Sequence, residues 1–148
     1  MKISLEKATL KDLEIVLDIE NFANSKTYFG RHGEQEVRDY IKKDVVYLIK
    51  REGFFMGTAS YKIKDLNHAH INALIVKPEF RGQGIAKRAM EILLDELKNK
   101  KRIDLTVHPH NNIAIALYLS SGFIIELWKD NYFKDGEPRL VMVYKKDV

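Results

Sequence analysis

Residues 76–90 read VKPEFRGQGIAKRAM. An apolar run ends at Val76, Pro78 interrupts it, and Gly82 and Gly84 follow. From Ile85 onward apolar residues recur every fourth position: Ile85, Ala89, Leu93 and Leu97, with Met90 and Leu94 beside them, until the charged run KNKKR. This pattern predicts a strand passing through a glycine-bearing turn into an amphipathic helix. Unpaired N–H groups and a partial positive charge gather at a helix start, and glycines let a ligand approach the backbone. Arg81, Lys87 and Arg88 add charge at the rim, so the stretch suits a phosphate. Taken alone, a plain turn with solvated cations accounts for the same residues.

The neighbouring segments extend the alternation of strands and helices. KISLEKA reads as a short edge strand, and Thr9 with Asp12 three residues later signals a capping box ahead of a helix over 10–23. Residues 24–34 read as a loop and 34–43 as a second, more polar helix. VVYLIKREGFFMGTASYKI predicts a hairpin about Glu52-Gly53, and HAHINALIV (68–76) a further strand. IDLTV is another, NNIAIALYLSSG a helix stopped by Gly122, FIIELWKDNYF a strand, and RLVMVY the last strand after a turn at 134–138. The order β-α-α-β-β-β-α-β-α-β-β predicts an α/β (α+β) fold with a single mixed, largely antiparallel, twisted sheet of about seven strands and helices on both faces. With no linker or repeat in sight, residues 1–148 read as one domain.

Composition narrows the functional classes. The 148 residues carry 25 Lys plus Arg against 21 Asp plus Glu, a net charge of +4 too evenly spread to argue for nucleic acid. There is no cysteine, which excludes disulfides, thiolate metal sites and a cysteine nucleophile. The N-terminal MKISLEKATLKDLE lacks a signal-peptide core, and no apolar run approaches the roughly 18 residues of a spanning helix. The expectation is a cytoplasmic protein that engages neither membrane nor nucleic acid.

Two phosphate motifs fail at the turn. The P-loop pattern is absent, and the dinucleotide fingerprint fails because Lys87 stands where its third glycine belongs. Asp104 lies at about the distance of that motif's ribose-binding acid but opens its strand instead of closing it. A third pattern fits: Arg81-Gly82-Gln83-Gly84-Ile85-Ala86 resembles the Q/R-x-x-G-x-G/A signature of the GNAT superfamily of acetyl-CoA-dependent N-acetyltransferases. LIVKPEFRGQGIA is similar to that family's strand, Val-x-Pro, loop and helix. Asn111, Ala114, Leu117, Tyr118, Gly122 and Phe123 match its N-x-x-A-x-x-L-Y-x-x-x-G-F passage.

The resemblance implies the GNAT fold and acetyl-CoA as donor, with no metal. It places the pantetheine arm against backbone groups of Leu74, Ile75 and Val76, in a gap where this strand parts from strand 102–107. The pyrophosphate is expected on the segment Arg81, Gly82, Gln83, Gly84, Ile85, Ala86 and Lys87, held chiefly by backbone amides from Gly82 to Lys87. Asn111 matches a residue that contacts the cofactor, a role compatible with capping its helix. Tyr118 matches the general acid that protonates the departing thiolate. Its other reading is a core tyrosine.

For a general base, His68, His70 and Asn72 project from one strand face. HINALIVKPEFR resembles the matching strand of arylalkylamine acetyltransferases, where a histidine pair flanks the acceptor. Here His70 and Asn72 hold those places, leaving His70 to act alone or through water. Thr106 stands where ribosomal-protein acetylases carry a glutamate. His68-x-His70 and His108-x-His110 also invite a metal. With the two strands parallel and their C-terminal ends level, about 20 Å would separate the pairs, too far for one ion. The acceptor pocket is expected from residues 20–36, with Tyr28, Phe29 and Arg31, and from WKDNYFKDGEPR, whose YFKDGE resembles the close of Nα-terminal acetyltransferases. The acceptors in view are a peptide N-terminus, a polyamine or another small amine, and a second copy of the chain as a homodimer is a further candidate partner. A non-catalytic acyl-CoA-binding module of the same fold stands as the alternative to an enzyme.

Overall fold

Strands that run in the same direction need a crossover of a dozen or more residues, and the stretch from Val76 to Arg102 supplies one. In the computed structural model, strand β4 (His68–Val76) leads through a single 3-10 turn at Pro78–Phe80 into helix α3 (Ile85–Glu96). The chain then returns as β5 (Arg102–Val107), parallel to β4. Ahead of this unit come β1 (Ser4–Lys7), α1 (Leu13–Ala23), α2 (Gly33–Lys43), β2 (Val45–Arg51) and β3 (Phe54–Asp65). After it come α4 (Asn112–Ser120), β6 (Phe123–Lys129) and β7 (Arg139–Tyr144). One seven-stranded sheet results, in the order β1-β2-β3-β4-β5-β7-β6, and every neighbouring pair except β4–β5 is antiparallel.

The structure describes residues 2–25 and 27–145. Met1, Lys26 within the expected 24–34 loop, and 146–148 beyond the last strand lie outside the described residues, so the one-domain reading of 1–148 is not followed to its ends. No described helix is long and apolar enough to cross a membrane.

The local signals act as their chemistry requires. Thr9 and Asp12 form the capping box, with the Thr9 N–H donating to Asp12 Oδ2 at 2.9 Å, although the first turn it caps is 3-10 and α1 proper begins at Leu13. Glu52 and Gly53 both take positive φ (51° and 82°), the geometry of a tight hairpin turn. β6 is shorter than its apolar run implies and ends at Lys129. Asn131 turns to φ 49°, its Oδ1 accepts the Gly136 N–H at 2.7 Å, and Trp128 Nε1 donates to Asp130. Residues 130–138 are therefore a loop.

Helices cover both faces. The α3 stripe (Ile85, Ala89, Met90, Leu93 and Leu97) is buried against Ile71, Ile103, Leu105, Met142 and Phe123. Val16 of α1 with Val37, Tyr40 and Ile41 of α2 pack on Val46 and Leu48 from the other side. At about 1.5–3 kcal/mol per fully buried aliphatic side chain, the stripe outweighs any loss from α3's exposed charges.

The sheet is discontinuous in one place. β4 and β5 pair only from His68↔Arg102 to Ile71↔Leu105, after which β5 continues with β7 alone and β4 with β3 alone. Along the departing part of β4, Gly57 of β3 faces the Ile75 carbonyl so closely that an added Cβ would lie 1.9 Å from its oxygen. Gly57→Ala should therefore force the two backbones apart and destabilise the protein by about 2–4 kcal/mol in urea unfolding. Gly53→Ala meets no atom within 4 Å and is strained only by its φ of 82°, so about 1 kcal/mol is expected there. Equal losses at the two sites would contradict this account of the gap.

Candidate active site

The turn between β4 and α3 is built from backbone. Gly82 and Gly84 take φ of 78° and 77°, values natural to glycine, and Gly84 caps α3 with no side-chain hydrogen bond to the helix's first N–H groups. The cations predicted as a mobile rim behave differently. Arg81 folds back so that its Nε donates to the Val76 carbonyl at 3.1 Å, Arg88 pairs with Glu91 at 3.1 Å, and Gln83 accepts from Arg51 Nη2 at 3.2 Å. Arg81 thus fastens the end of β4, one of the groups expected to meet the pantetheine arm. The amides, not the guanidinium, are what the turn offers to an anion.

A cavity of about 410 Å³ runs through the gap between β4 and β5. Its walls take His70, Asn72, Leu74 and Ile75 from β4, Thr106 from β5, and Asn111, Ala114 and Tyr118 from the start and inner face of α4. Asn111 caps α4, its Oδ1 accepting the Ala114 N–H at 3.3 Å. Tyr118 is half-buried beside Phe123, and burial pushes its phenol up to about 12. It therefore holds its proton throughout the neutral range. The cavity brings Tyr118 and His70 together, while the Gly82–Gly84 turn lies outside its walls.

His70 belongs to a polar cluster on the sheet face opposite α3. Its Nδ1 lies 2.7 Å from Asp104 Oδ1, and His68 Nε2 lies 2.9 Å from Asp104 Oδ2. Arg102 Nε donates to the same Oδ2 at 2.8 Å, and the Arg102 fork grips both oxygens of Glu126 at 2.8 and 2.7 Å. Asp104 is only 6% exposed. Burial by itself would push its carboxyl up, but hydrogen bonds from His70, His68 and Arg102 outweigh it and hold the group well below the usual carboxylate range. Asn72 is held by Asp44 at the C-terminal end of α2, its Nδ2 donating at 2.9 Å.

His108 also lines the cavity, but both its nitrogens are engaged. Nδ1 accepts the His110 N–H at 3.0 Å, so Nε2 carries the proton and donates to Glu137 at 2.8 Å. His68 and His70 thus turn to Asp104 and His108 to Glu137, and among the described residues no group of His, Cys, Asp and Glu is placed to hold a metal ion.

The far wall joins the two expected acceptor loops. Glu20, 1% exposed, accepts from Tyr28 Oη at 2.7 Å and Arg31 Nη1 at 3.1 Å, and the Arg31 guanidinium lies 3.9 Å over the Tyr40 ring. Burial raises the Glu20 carboxyl against the lowering pull of Arg31 and Tyr28. Phe29 stacks on Phe133 at 5.0 Å, fixing the 27–32 segment to the β6–β7 loop, and the Arg139 guanidinium lies 5.1 Å from the Phe133 ring. Lys62 and Lys64 project into the cavity from β3, and among the described residues neither forms a salt bridge.

Asp44 and the Lys62/Lys64 pair were not singled out by sequence reasoning; Glu137 lies in the expected acceptor stretch, and Asp104 was weighed only as the ribose-binding acid of a motif that fails. The level-ends assumption is what hid Asp104. β4 runs past β5, so the register sets His70 opposite Asp104.

A helix with an amide-lined start, a parallel strand pair that parts beside it, and a cavity through the gap to a half-buried tyrosine define the acyl-CoA N-acyltransferase class of fold. Residues 14–123 match the Acetyltransferase (GNAT) family, and the chain belongs to it. It is 30% identical over 133 residues to the ribosomal protein bS18-alanine N-acetyltransferase of Salmonella typhimurium, covering 85% of this chain and 84% of that protein. It is 35% identical over 93 residues to the N-terminal acetyltransferase B complex catalytic subunit NAA20 of Arabidopsis thaliana, covering 61% of this chain and 53% of that one. The match therefore spans about half the length of that relative. A spermidine N(1)-acetyltransferase of Escherichia coli is 25% identical over 139 residues, 84% of this chain and 74% of that one. The fold superimposes on a GNAT family acetyltransferase from Elizabethkingia anophelis with acetyl-CoA bound, at a TM-score of 0.75, 19% identity and 97% coverage of each chain.

The depressed Asp104 carboxyl stabilises the fold above its unfolded value of about 4, and this contribution is lost as pH falls toward the lower folded value. Thermal unfolding of wild type and Asp104→Asn should therefore differ most near neutrality, with the gap closing as pH drops below about 4. A gap independent of pH would contradict the assignment.

Proposed function

We propose that this protein transfers an acetyl group from acetyl-CoA to a primary amine in a ternary complex. The observation that carries the reading is the cavity through the β4–β5 gap, which His70 and Tyr118 both line. The donor's pantetheine arm lies against the open edge of β4 at Leu74, Ile75 and Val76, and its pyrophosphate on the amides from Gly82 to Lys87. No side chain caps those amides, and no atom lies within 4 Å of the space beside Gly82, so the site fits the group. Asn111 borders the same gap.

The amine nitrogen attacks the thioester carbonyl carbon, the new C–N bond forms, and the C–S bond breaks. An alkyl amine is mostly protonated at pH 7, so a base is needed; His70 Nε2 takes the proton. Tyr118 gives its phenolic proton to the leaving thiolate, which the acceptor-derived proton later replaces through solvent. Because Tyr118 keeps its proton to about pH 12, its acid role sets no alkaline limit below about pH 10.

The walls also bear on the acceptor. Lys62 and Lys64 line the cavity without a salt bridge among the described residues, Arg31 and Arg139 line it already paired with Glu20 and Asp135, and Glu36 is the one carboxylate among the described lining residues. That charge repels a polycation and suits a peptide N-terminus. Acetyl-CoA at 100 times its Kd should stabilise the fold by about 2.7 kcal/mol, visible as a raised Tm. Thiol release should then be faster with N-terminal peptides than with spermidine. A stabilised protein that releases no thiol, whichever amine is supplied, would be the non-catalytic acyl-CoA module; no stabilisation would remove both readings.

Tyr118→Phe should lower kcat by about 10²-fold and leave acetyl-CoA affinity nearly unchanged. His70→Gln should lower kcat/KM and remove the pH dependence that an imidazole base imposes on it. An unaltered rate or an unaltered profile removes the respective residue from the mechanism.

A further inference from the structure

We propose that Asp104 is a positioning residue for this reaction: it accepts the Nδ1–H of His70 and so presents His70 Nε2 to the cavity as a bare proton acceptor. The proposal rests on His70 being the base of the transfer described above. It starts from the register, in which the two residues stand directly opposite on adjacent parallel strands, with Nδ1 and Oδ1 2.7 Å apart. An ionised carboxylate only accepts hydrogen bonds, so the ring nitrogen facing it must carry the proton. In the neutral ring the lone pair is then on Nε2, which has no protein partner among the described residues, on a side chain 18% exposed at the cavity wall.

The division of labour on the carboxylate is specific. Oδ2 receives both Arg102 Nε and His68 Nε2, while Oδ1 receives His70 alone. Arg102 is held in turn by both oxygens of Glu126, so the plane of the Asp104 carboxylate is set from the far side. The charged and titratable groups around His70 are Lys62 directly across on β3, Asp44 from the end of α2, His68 on its own strand, and Asp104 with Arg102 and Glu126 beyond. Asp104 is the one that touches the ring. When Nε2 takes the amine's proton, the Nδ1 proton stays in place and the imidazolium lies against a carboxylate that remains ionised.

This arrangement makes the amide variant informative. In Asp104→Asn, Arg102 still requires an acceptor at the Oδ2 position, so the amide oxygen goes there and the NH2 group faces His70. That NH2 donates to Nδ1, and the ring proton must move to Nε2, where it blocks the base.

The test reads the ring nitrogens directly, by 15N NMR of histidine-labelled protein above pH 8, alongside kcat/KM for thiol release. The expected result is protonated Nδ1 and bare Nε2 for His70 in the wild type, and the reverse in Asp104→Asn. Asp104→Asn should also lose at least about 10²-fold in kcat/KM, and lose nothing more when introduced into His70→Gln. A wild-type His70 protonated at Nε2, or an equal loss from Asp104→Asn in both backgrounds, overturns the proposal. Far-UV CD at the assay temperature shows whether the variant is folded; if it is not, the wild-type tautomer alone decides. Failure of the underlying reading looks different: wild type releases no thiol with any amine, or His70→Gln keeps its pH profile, while the NMR result stands by itself.

Discussion

Everything at the candidate site depends on β4 and β5 staying together for four residue pairs and then separating. Unpaired strand edges inside a sheet leave N–H and C=O groups without partners, an expensive state unless water or a ligand meets them. Here the separation is supported from both sides. β7 takes over the pairing of β5 through Val107, and Gly57 lets the departing end of β4 press onto β3. Arg81 then secures the last carbonyl of β4 and starts the turn that leads into α3. The gap is a structural product of pairing choices, and the cavity follows from it.

The two ends of that cavity are controlled by different chemistry. On the proposed donor side the contacts offered are backbone amides and strand edges, which need correct φ and ψ more than any particular side chain. On the proposed acceptor side the fold holds buried polar clusters: Glu20 with Tyr28 and Arg31, and Asp104 with His68, His70 and Arg102. Such clusters fix orientation, because losing one member leaves another unpaired. The Phe29–Phe133 stack joins the loop ahead of α2 to the β6–β7 loop by apolar contact.

Local order was legible where one residue type has one physical reason to be there. The α3 stripe, the Glu52-Gly53 hairpin and the Thr9–Asp12 box all formed in place. The apolar run after Gly122 misled, because Asp130 and Asn131 bond to their own neighbourhood and end β6 early, which periodicity cannot register. The site was half legible. Tyr118, Asn111 and His70 stood out through motif matches and strand alternation, and all three line the cavity. Asp104 did not, because its role depends on the β4–β5 register, and a shift of three residues decides whether His70 faces a carboxylate or Lys101. Arg81 misled in the same way: its charge was visible in the sequence, but its bond to Val76 depends on how the turn folds back.

The central claim is that the parting of β4 from β5, together with the start of α3, seats the donor through backbone groups. Amide hydrogen exchange with and without acetyl-CoA tests it most directly, because it reads those groups residue by residue. The account predicts added protection at residues 74–76 and 82–87, with little change across the β1–β2 pair. Protection absent from these segments while acetyl-CoA is bound, or confined to the α1 and α2 face, would contradict it.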